Sequence, residues 1–243
     1  GAKQSITAAI TEQGSVIFAT DVNVTKNVNI STENGFIAVG YTVNAEEGKV
    51  NLKTGTGDVL VGKDVTAGTG VDITTDDGSI VIGAAATGDD GDVLARSGDV
   101  SIKAAKGNVE IAKTVTAQTG SIDISTGNGE ILIGDNGPDV KTVTARENIN
   151  LNTQEGRIVV YGKTSTEEGD ITLAARRQEY VSGAANSSFV IDQNGKLEAG
   201  RAINLHVGNG DLHISDRIQA KADLQTELEG KGGVYFDTDV NVA

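Results

Sequence analysis

The sequence predicts an all-β fold, a single-stranded right-handed parallel β-helix with three faces and about ten coils of roughly 22 residues. Three observations indicate this fold. An apolar–polar–apolar triplet recurs along the chain, a glycine follows it at a constant distance, and two further short alternating segments complete each repeat. Alternation places successive side chains on opposite faces of a strand. Three such strands per repeat therefore predict a three-sided solenoid with one face of each strand inside.

The first strand of each repeat is the apolar–polar–apolar triplet. Eight triplets share one polarity pattern: Val28–Ile30, Val50–Leu52, Val71–Ile73, Val100–Ile102, Ile122–Ile124, Ile149–Leu151, Ile171–Leu173 and Ile203–Leu205. A glycine stands five residues after most of them, at positions 35, 57, 78, 107, 129, 156 and 210. Glycine tolerates backbone angles and close approaches that other residues do not, so these positions predict corners.

The second and third strands are shorter. The second strand has apolar pairs at 37/39, 59/61, 80/82, 109/111, 131/133, 158/160 and 212/214. The third has pairs at 43/45, 65/67, 93/95, 115/117, 143/145 and 218/220. Parallel strands joined by crossover connections wind right-handed by default, which predicts the handedness of the solenoid.

We interpret residues 1–243 as one β-helix domain interrupted by inserted loops. The repeat pattern stops and then resumes at about 84–91, 135–141 and 174–188. A longer period is also visible, because GSVIFATDVNV at 14–24 and GGVYFDTDVNV at 232–242 share most of their residues. Residues 1–25 are echoed by 219–243, which predicts a super-repeat of 218 residues and a parent protein built as a tandem array.

Composition excludes several classes of function. The net charge of −14 disfavours nucleic-acid and anionic-membrane partners, since both need basic surfaces. No apolar run is long enough to span a bilayer, so we expect no membrane insertion. Aromatic residues make up only 3% of the chain and tryptophan is absent, so few side chains could stack on sugars. No signal peptide is visible, and we expect export signals outside this sequence.

The repeats SGDVSIKAAKGNVEI (97–111), TGSIDISTGNGEILI (119–133) and GRAINLHVGNGDLHI (200–214) resemble filamentous-haemagglutinin-type exoproteins. That family consists of large β-helical adhesins of Gram-negative bacteria, commonly exported by two-partner secretion. The resemblance implies an extracellular or cell-surface location and a non-catalytic shaft that displays other parts of the protein. The family's amino-terminal Asn-Pro-Asn-Gly motif is absent here, so the resemblance points to the repetitive shaft.

We expect no catalytic site and no cofactor. The acidic residues are spread over corners, whereas a glycan-cleaving enzyme needs clustered carboxylates. A carbohydrate-binding or carbohydrate-cleaving β-helical module is the alternative. Two glycine-containing acidic loops are candidate calcium sites, through Asp89, Asp90, Asp92, Asp135 and Asp139. The two histidines, His206 and His213, lack the ligand spacing of a metal site, so we interpret them as surface residues.

Two features are candidate partner-binding surfaces. One is the 174–188 insertion, with Arg176, Arg177 and Tyr180, since loops on rigid scaffolds often carry binding. The other is an apolar stripe at the outward position of the second strand, formed by Ala38, Leu60, Val81, Leu132 and Val159. We expect these side chains to face solvent unless something covers them. The partner would be a host or bacterial surface protein or glycan. Self-association along the stripe would instead suit a surface-layer or filament subunit, the second alternative.

Overall fold

The computed structural model describes residues 4–83, 91–134, 141–177, 187–192 and 195–243. These residues form thirty strands in three sheets of ten, and every strand pairs in parallel with its equivalents in the adjacent coils. The predicted three-faced parallel β-helix of ten coils is therefore confirmed. No helix capable of crossing a lipid bilayer occurs within these ranges.

Sheets A, B and C contain the first, second and third strands of each coil. Coils 1 to 5 comprise β1 (Ile6–Gln13), β2 (Val16–Phe18), β3 (Val22–Val24); β4 (Val28–Asn34), β5 (Ile37–Val39), β6 (Val43–Ala45); β7 (Lys49–Thr56), β8 (Val59–Val61), β9 (Val65–Ala67); β10 (Gly70–Asp77), β11 (Ile80–Ile82), β12 (Val93–Ala95); and β13 (Val100–Ala104), β14 (Val109–Ile111), β15 (Val115–Ala117).

Coils 6 to 10 follow the same order. They comprise β16 (Ile122–Thr126), β17 (Ile131–Ile133), β18 (Thr142–Ala145); β19 (Ile149–Thr153), β20 (Ile158–Val160), β21 (Lys163–Thr166); β22 (Ile171–Ala175), β23 (Ser187–Ile191), β24 (Lys196–Ala199); β25 (Ile203–Val207), β26 (Asp211–Ile214), β27 (Ile218–Ala220); and β28 (Leu224–Leu228), β29 (Val234–Phe236), β30 (Val240–Val242).

The core is a column of aliphatic side chains along the axis. Ile122 pairs with Ile149 and Ile124 with Leu151, and all four are fully buried, whereas the intervening Asp123 points outward. The register keeps the same face inside in neighbouring coils, because a slip of one residue would expose the apolar set. The alternation that predicted the strands is thus the alternation that fills the core.

A glycine column forms the first corner. A Cβ on Gly78 would clash with the carbonyl oxygen of Gly57, and one on Gly107 would clash with that of Gly78. Gly107 also has φ +99°, a region that side chains disfavour. The corner therefore requires glycine both for its backbone angle and for the close stacking of consecutive coils.

The hydroxyl of a buried threonine binds this corner in several coils. Thr153 Oγ1 donates to the Gly129 carbonyl at 3.0 Å and accepts from the Gly156 N–H at 2.9 Å. Thr126 makes the equivalent pair with Gly107 and Gly129. Because both groups lie inside the solenoid, each threonine satisfies backbone polar groups that water cannot reach.

The structure differs from the sequence prediction in the third strand of coil 7. The inward residues of β21 are Thr164 and Thr166, both buried, so the strand lacks the apolar pair that marks the others. Its pairing with β18 and β24 holds it in the sheet regardless of polarity.

The insertion predicted at 174–188 is shorter at both ends in the structure. Ala174 and Ala175 belong to β22 and pair with β19, and β23 begins at Ser187. Most of the three predicted insertions lies outside the described residues.

Candidate functional surfaces

The corner acids have a structural role. An Asp, Asn or Ser commonly stands immediately before a strand, and its side-chain oxygen accepts a hydrogen bond from the backbone N–H of the equivalent residue in the next coil. The pairs with aspartate as acceptor are Asp21 with Thr42, Asp58 with Ser79, Asp64 with Asp92, Asp92 with Thr114, Asp99 with Ser121, Asp170 with Ala202 and Asp211 with Gly233. These side chains therefore bind consecutive coils together.

Asp92 shows what this means for the calcium prediction. Its backbone N–H donates to Asp64 Oδ1 at 3.1 Å, and its own Oδ1 accepts from the Thr114 N–H at 2.9 Å. One carboxylate oxygen is thus already engaged by the protein. Asp89, Asp90, Asp135 and Asp139 lie outside the described residues. In the described part of the chain, no three His, Cys, Asp or Glu side chains gather closely enough to hold a metal ion.

The outer face of sheet A has a shallow polar groove of about 390 Å³ across coils 3 to 6. Its charged groups alternate in sign and pair, Lys49 Nζ with Asp72 Oδ2 at 3.6 Å and Lys103 Nζ with Asp123 Oδ2 at 3.0 Å. The third carboxylate of the groove, Asp99, accepts a hydrogen bond from the Ser121 N–H through Oδ1. The three carboxylates therefore already have partners within the protein, and the sheet A strands contain no Tyr or Phe that could stack on a sugar.

The ion pair between Arg146 and Glu168 lies on the outside of the coil stack. Arg146 Nη2 donates to Glu168 Oε1 at 2.8 Å. This hydrogen bond and the charge of Arg146 hold the pKa of Glu168 below its ordinary value, and Glu168 raises the pKa of Arg146 in return. Both groups are exposed to solvent, so this pKa shift reflects an ion pair between neighbouring coils and does not indicate a catalytic acid.

The two histidines lie on different faces. His206 is on sheet A, where its Nδ1 lies 3.0 Å from Glu227 Oε2. His213 is at the outward position of β26 on sheet B and stacks on Tyr235, with ring centroids 4.7 Å apart and planes 10° from parallel. Each histidine thus interacts with a residue of coil 10.

The apolar stripe is partly exposed. Pairing along sheet B aligns Ala38, Leu60 and Val81, and then Leu132 and Val159, with Glu110 between the two groups. Leu60 is 41% exposed, and Ile17, at the same position of coil 1, is 60% exposed. Val159, by contrast, is covered, because only 4% of it is exposed. A side chain this deeply covered offers no area to a partner, so Val159 is removed from the candidate binding residues.

Arg176 and Arg177 are part of the coil stack at the backbone level. The Arg176 N–H donates to the Thr153 carbonyl, and the Arg177 carbonyl accepts from the N–H and side chain of Asn209. The two residues thus bind coils 7 and 9, although the Arg176 side chain is exposed. Tyr180, the third predicted binding residue of this insertion, lies outside the described residues.

Two structural sets were missed by the sequence analysis, namely the buried threonines and the corner acceptors. Both leave a signal. Thr-x-x-Gly recurs at Thr32, Thr54, Thr75, Thr126 and Thr153, and Asp, Asn or Ser recurs directly before the apolar triplet.

No protein-family model matches the chain, and neither curated proteins nor solved structures offer a match.

Proposed function

We propose that this chain is a non-catalytic shaft segment of a large secreted or cell-surface adhesin of the filamentous-haemagglutinin type. Its role is reach and display. Ten coils at a rise of about 4.8 Å form a stiff rod on the order of 45 Å long, on which other parts of the protein would be carried. An extracellular or cell-surface location belongs to the same proposal.

The observation that carries this proposal is the use of the polar residues. The corner aspartates accept hydrogen bonds from the next coil, and two groove carboxylates of sheet A, Asp72 and Asp123, are paired with lysines. These charged groups at the corners and in the groove join neighbouring coils. A protein whose carboxylates mainly form contacts between neighbouring coils is suited to a structural role.

A coil deletion tests the shaft role. Removing residues 46–67 takes out coil 3 and joins Ala45 to Gly68, and β6 and β9 have the same register on sheet C. A shaft only becomes shorter, so we expect a folded rod with cooperative unfolding. The control removes only residues 46–56, which would place β8 directly after β6 and break the order of the sheets. Equal unfolding of both variants would contradict the proposal.

A glycan screen tests the enzyme alternative. The intact chain is incubated with a panel of polysaccharides, and new reducing ends are measured beside an Asp72→Asn/Asp99→Asn/Asp123→Asn variant, which neutralises the three groove carboxylates. The proposal expects no turnover by either protein. Turnover by the intact chain that the variant loses would show that the groove is an active site.

Self-association is a second candidate function, and the exposure of Leu60 and Ile17 on sheet B favours it. Sedimentation velocity at rising concentration would detect lateral assembly, with Leu60→Lys as the matched variant. Assembly that Leu60→Lys abolishes would support a filament or surface-layer subunit, whereas a monomer at all concentrations would eliminate this candidate.

A further inference from the structure

Coil 10 leaves an apolar cross-section uncovered. The inward side chains of its second and third strands are Val234, Phe236, Val240 and Val242, and they are 36, 42, 39 and 45% exposed. Their partners in coil 9 are at most 1% exposed, namely Leu212, Ile214, Ile218 and Ala220. Among the described residues, the strands that carry these side chains are also the last of their sheets, so their outer backbone groups are not paired with another strand. Apolar area beside open strand edges is a combination that favours pairing with a further strand.

The second and third strands of coil 10 repeat the inward residues of those of coil 1. Among the described strands, the second inward residue of the sheet B strand is phenylalanine in these two coils only, as Phe18 and Phe236. The second inward residue of the sheet C strand is valine in the same two coils only, as Val24 and Val242, and is alanine or threonine in the others. On sheets B and C the two coils thus share a set of inward residues that no described coil between them has. On sheet A their inward residues differ, being Ile6, Ala8 and Ile10 in coil 1 and Leu224, Thr226 and Leu228 in coil 10.

In the second and third strands, the differences between the two coils avoid the inward positions. Between 14–24 and 232–242 three positions change, Ser15 to Gly233, Ile17 to Tyr235 and Ala19 to Asp237. Position 17 points outward, and positions 15 and 19 lie in the turns beside β2. The four inward residues are identical, which conserves the surface that a following coil would contact.

The structure shows what fits this surface, because coil 1 is covered by coil 2. Phe18 packs beside Val39 and is only 7% exposed, and Val24 pairs with Ala45. The N–H groups of Val16 and Val22 donate to the carbonyls of Phe36 and Thr42. Asp21 Oδ1 accepts from the Thr42 N–H at 3.1 Å. In coil 10, Val234 and Val240 carry the equivalent N–H donors, and Asp239 carries the equivalent carboxylate acceptor.

We propose that the open face of coil 10 is a specific acceptor for one further parallel β-coil with the residue pattern of coil 2. That coil carries glycine at the first corner, branched aliphatic residues in its second strand and Val-x-Ala in its third. The inference rests on the proposed shaft role, which it deepens by identifying how successive units join. A second copy of this chain does not meet the requirement, because its coil 2 is already enclosed between coils 1 and 3.

Extension of the full chain tests this inference. Residues 26–83 are appended after Ala243, which occupies the place of Thr25 in the repeat of 218 residues. The control appends a segment of the same composition in which the inward and outward residues of each strand are exchanged. Amide hydrogen exchange is measured in all three proteins. We expect the N–H groups of Val234 and Val240 to exchange at least about tenfold more slowly with the matched extension only.

Three results would overturn the inference. One is an appended segment that stays unprotected while coils 2 to 9 keep their protection. Another is equal protection of coil 10 by the control segment, which would show that any apolar coil suffices. The last is protection of coil 10 in the unextended chain together with sedimentation as a dimer, which would make a second copy the occupant. Turnover in the glycan screen would instead refute the shaft role, so the two failures are distinguishable.

Discussion

Coil 6 and coil 10 have the same alternating pattern, yet their inward side chains lie in different environments. Ile131 and Ile133 of coil 6 are fully buried between coils 5 and 7. Val234 and Phe236 of coil 10 occupy the same positions and remain more than one third exposed. A strand in this solenoid therefore does not bury its own apolar face. Burial comes from the two neighbouring coils, and one neighbour provides only part of it.

This difference identifies the interface between coils as the unit of stability. In a solenoid the free energy of folding approximates a sum of coil and interface terms. A middle coil takes part in two interfaces and an end coil in one. Substitutions should therefore cost most in the middle, and they should cost less wherever one neighbour is missing.

The largest effect is expected from a charge in the middle of the column. Ile124 is fully buried in coil 6, so Ile124→Asp places a carboxylate where the described neighbours provide no charge partner. We expect a loss of more than about 4 kcal/mol of unfolding free energy, or failure to fold. Ser125→Asp, on the outward face of the same strand, should change it by less than about 0.5 kcal/mol. Chemical denaturation measures both, and similar losses would contradict the assignment of faces.

A truncation pair compares the middle with the end directly. Ile133→Ala should cost about 2–5 kcal/mol, because it leaves a cavity in a packed core. Phe236→Ala removes a larger side chain but one that is already 42% exposed, so about 1–2 kcal/mol is expected. Thermal and urea unfolding report both values. A greater loss at Phe236 than at Ile133 would mean that coil 10 is covered in solution.

The buried threonines test whether polar corners stabilise the middle coils. Thr153→Val keeps the volume but leaves the Gly129 carbonyl and Gly156 N–H without their partner, at about 1–3 kcal/mol. Thr153→Ser keeps the hydroxyl and loses one methyl group, about 0.8 kcal/mol. If the valine variant proved as stable as the unchanged chain in urea, the threonine would be filling space only.

The smallest effect concerns the corner acceptors. Asp92→Ala removes the acceptor of the Thr114 N–H and should cost about 1 kcal/mol, whereas Asp92→Asn keeps an oxygen there and should cost less than about 0.5 kcal/mol. The melting temperatures are measured with calcium and with a chelator. Stabilisation by calcium that Asp92→Asn loses would show that Asp92 is a metal ligand and not only a structural acceptor.

The fold was predictable because the apolar alternation and the corner glycines act through geometry that every coil shares. Val71, Ile73, Ile80 and Ile82 point inward for the same reason as their equivalents in other coils, and all are fully buried. β21 escaped detection because Thr164 and Thr166 fill core positions with polar side chains. The apolar pattern identifies strands only where the core is apolar, and here the pairing with β18 and β24 holds the strand.

The candidate surfaces were less predictable, since they depend on what lies across from a side chain. Alternation places Val159 outward, but it does not reveal that the side chain is covered to 4% exposure. Likewise, Asp58 and Asp99 have the composition of a solvated corner, and only stacking at the right height brings the N–H of the next coil to them. The exposure of a side chain and the partner of a corner carboxylate are set by contacts between coils, which the residue pattern within one coil does not specify.

Residue-resolved amide hydrogen exchange of the intact chain tests the central claim most directly, namely that each coil is buried by its neighbours. The account predicts the slowest exchange in coils 4 to 7 and progressively faster exchange toward coil 10, whose last strands lack a neighbour on one side. Protection in β29 and β30 equal to that in β17 and β18 would contradict it, because a coil would then be stable without a second neighbour.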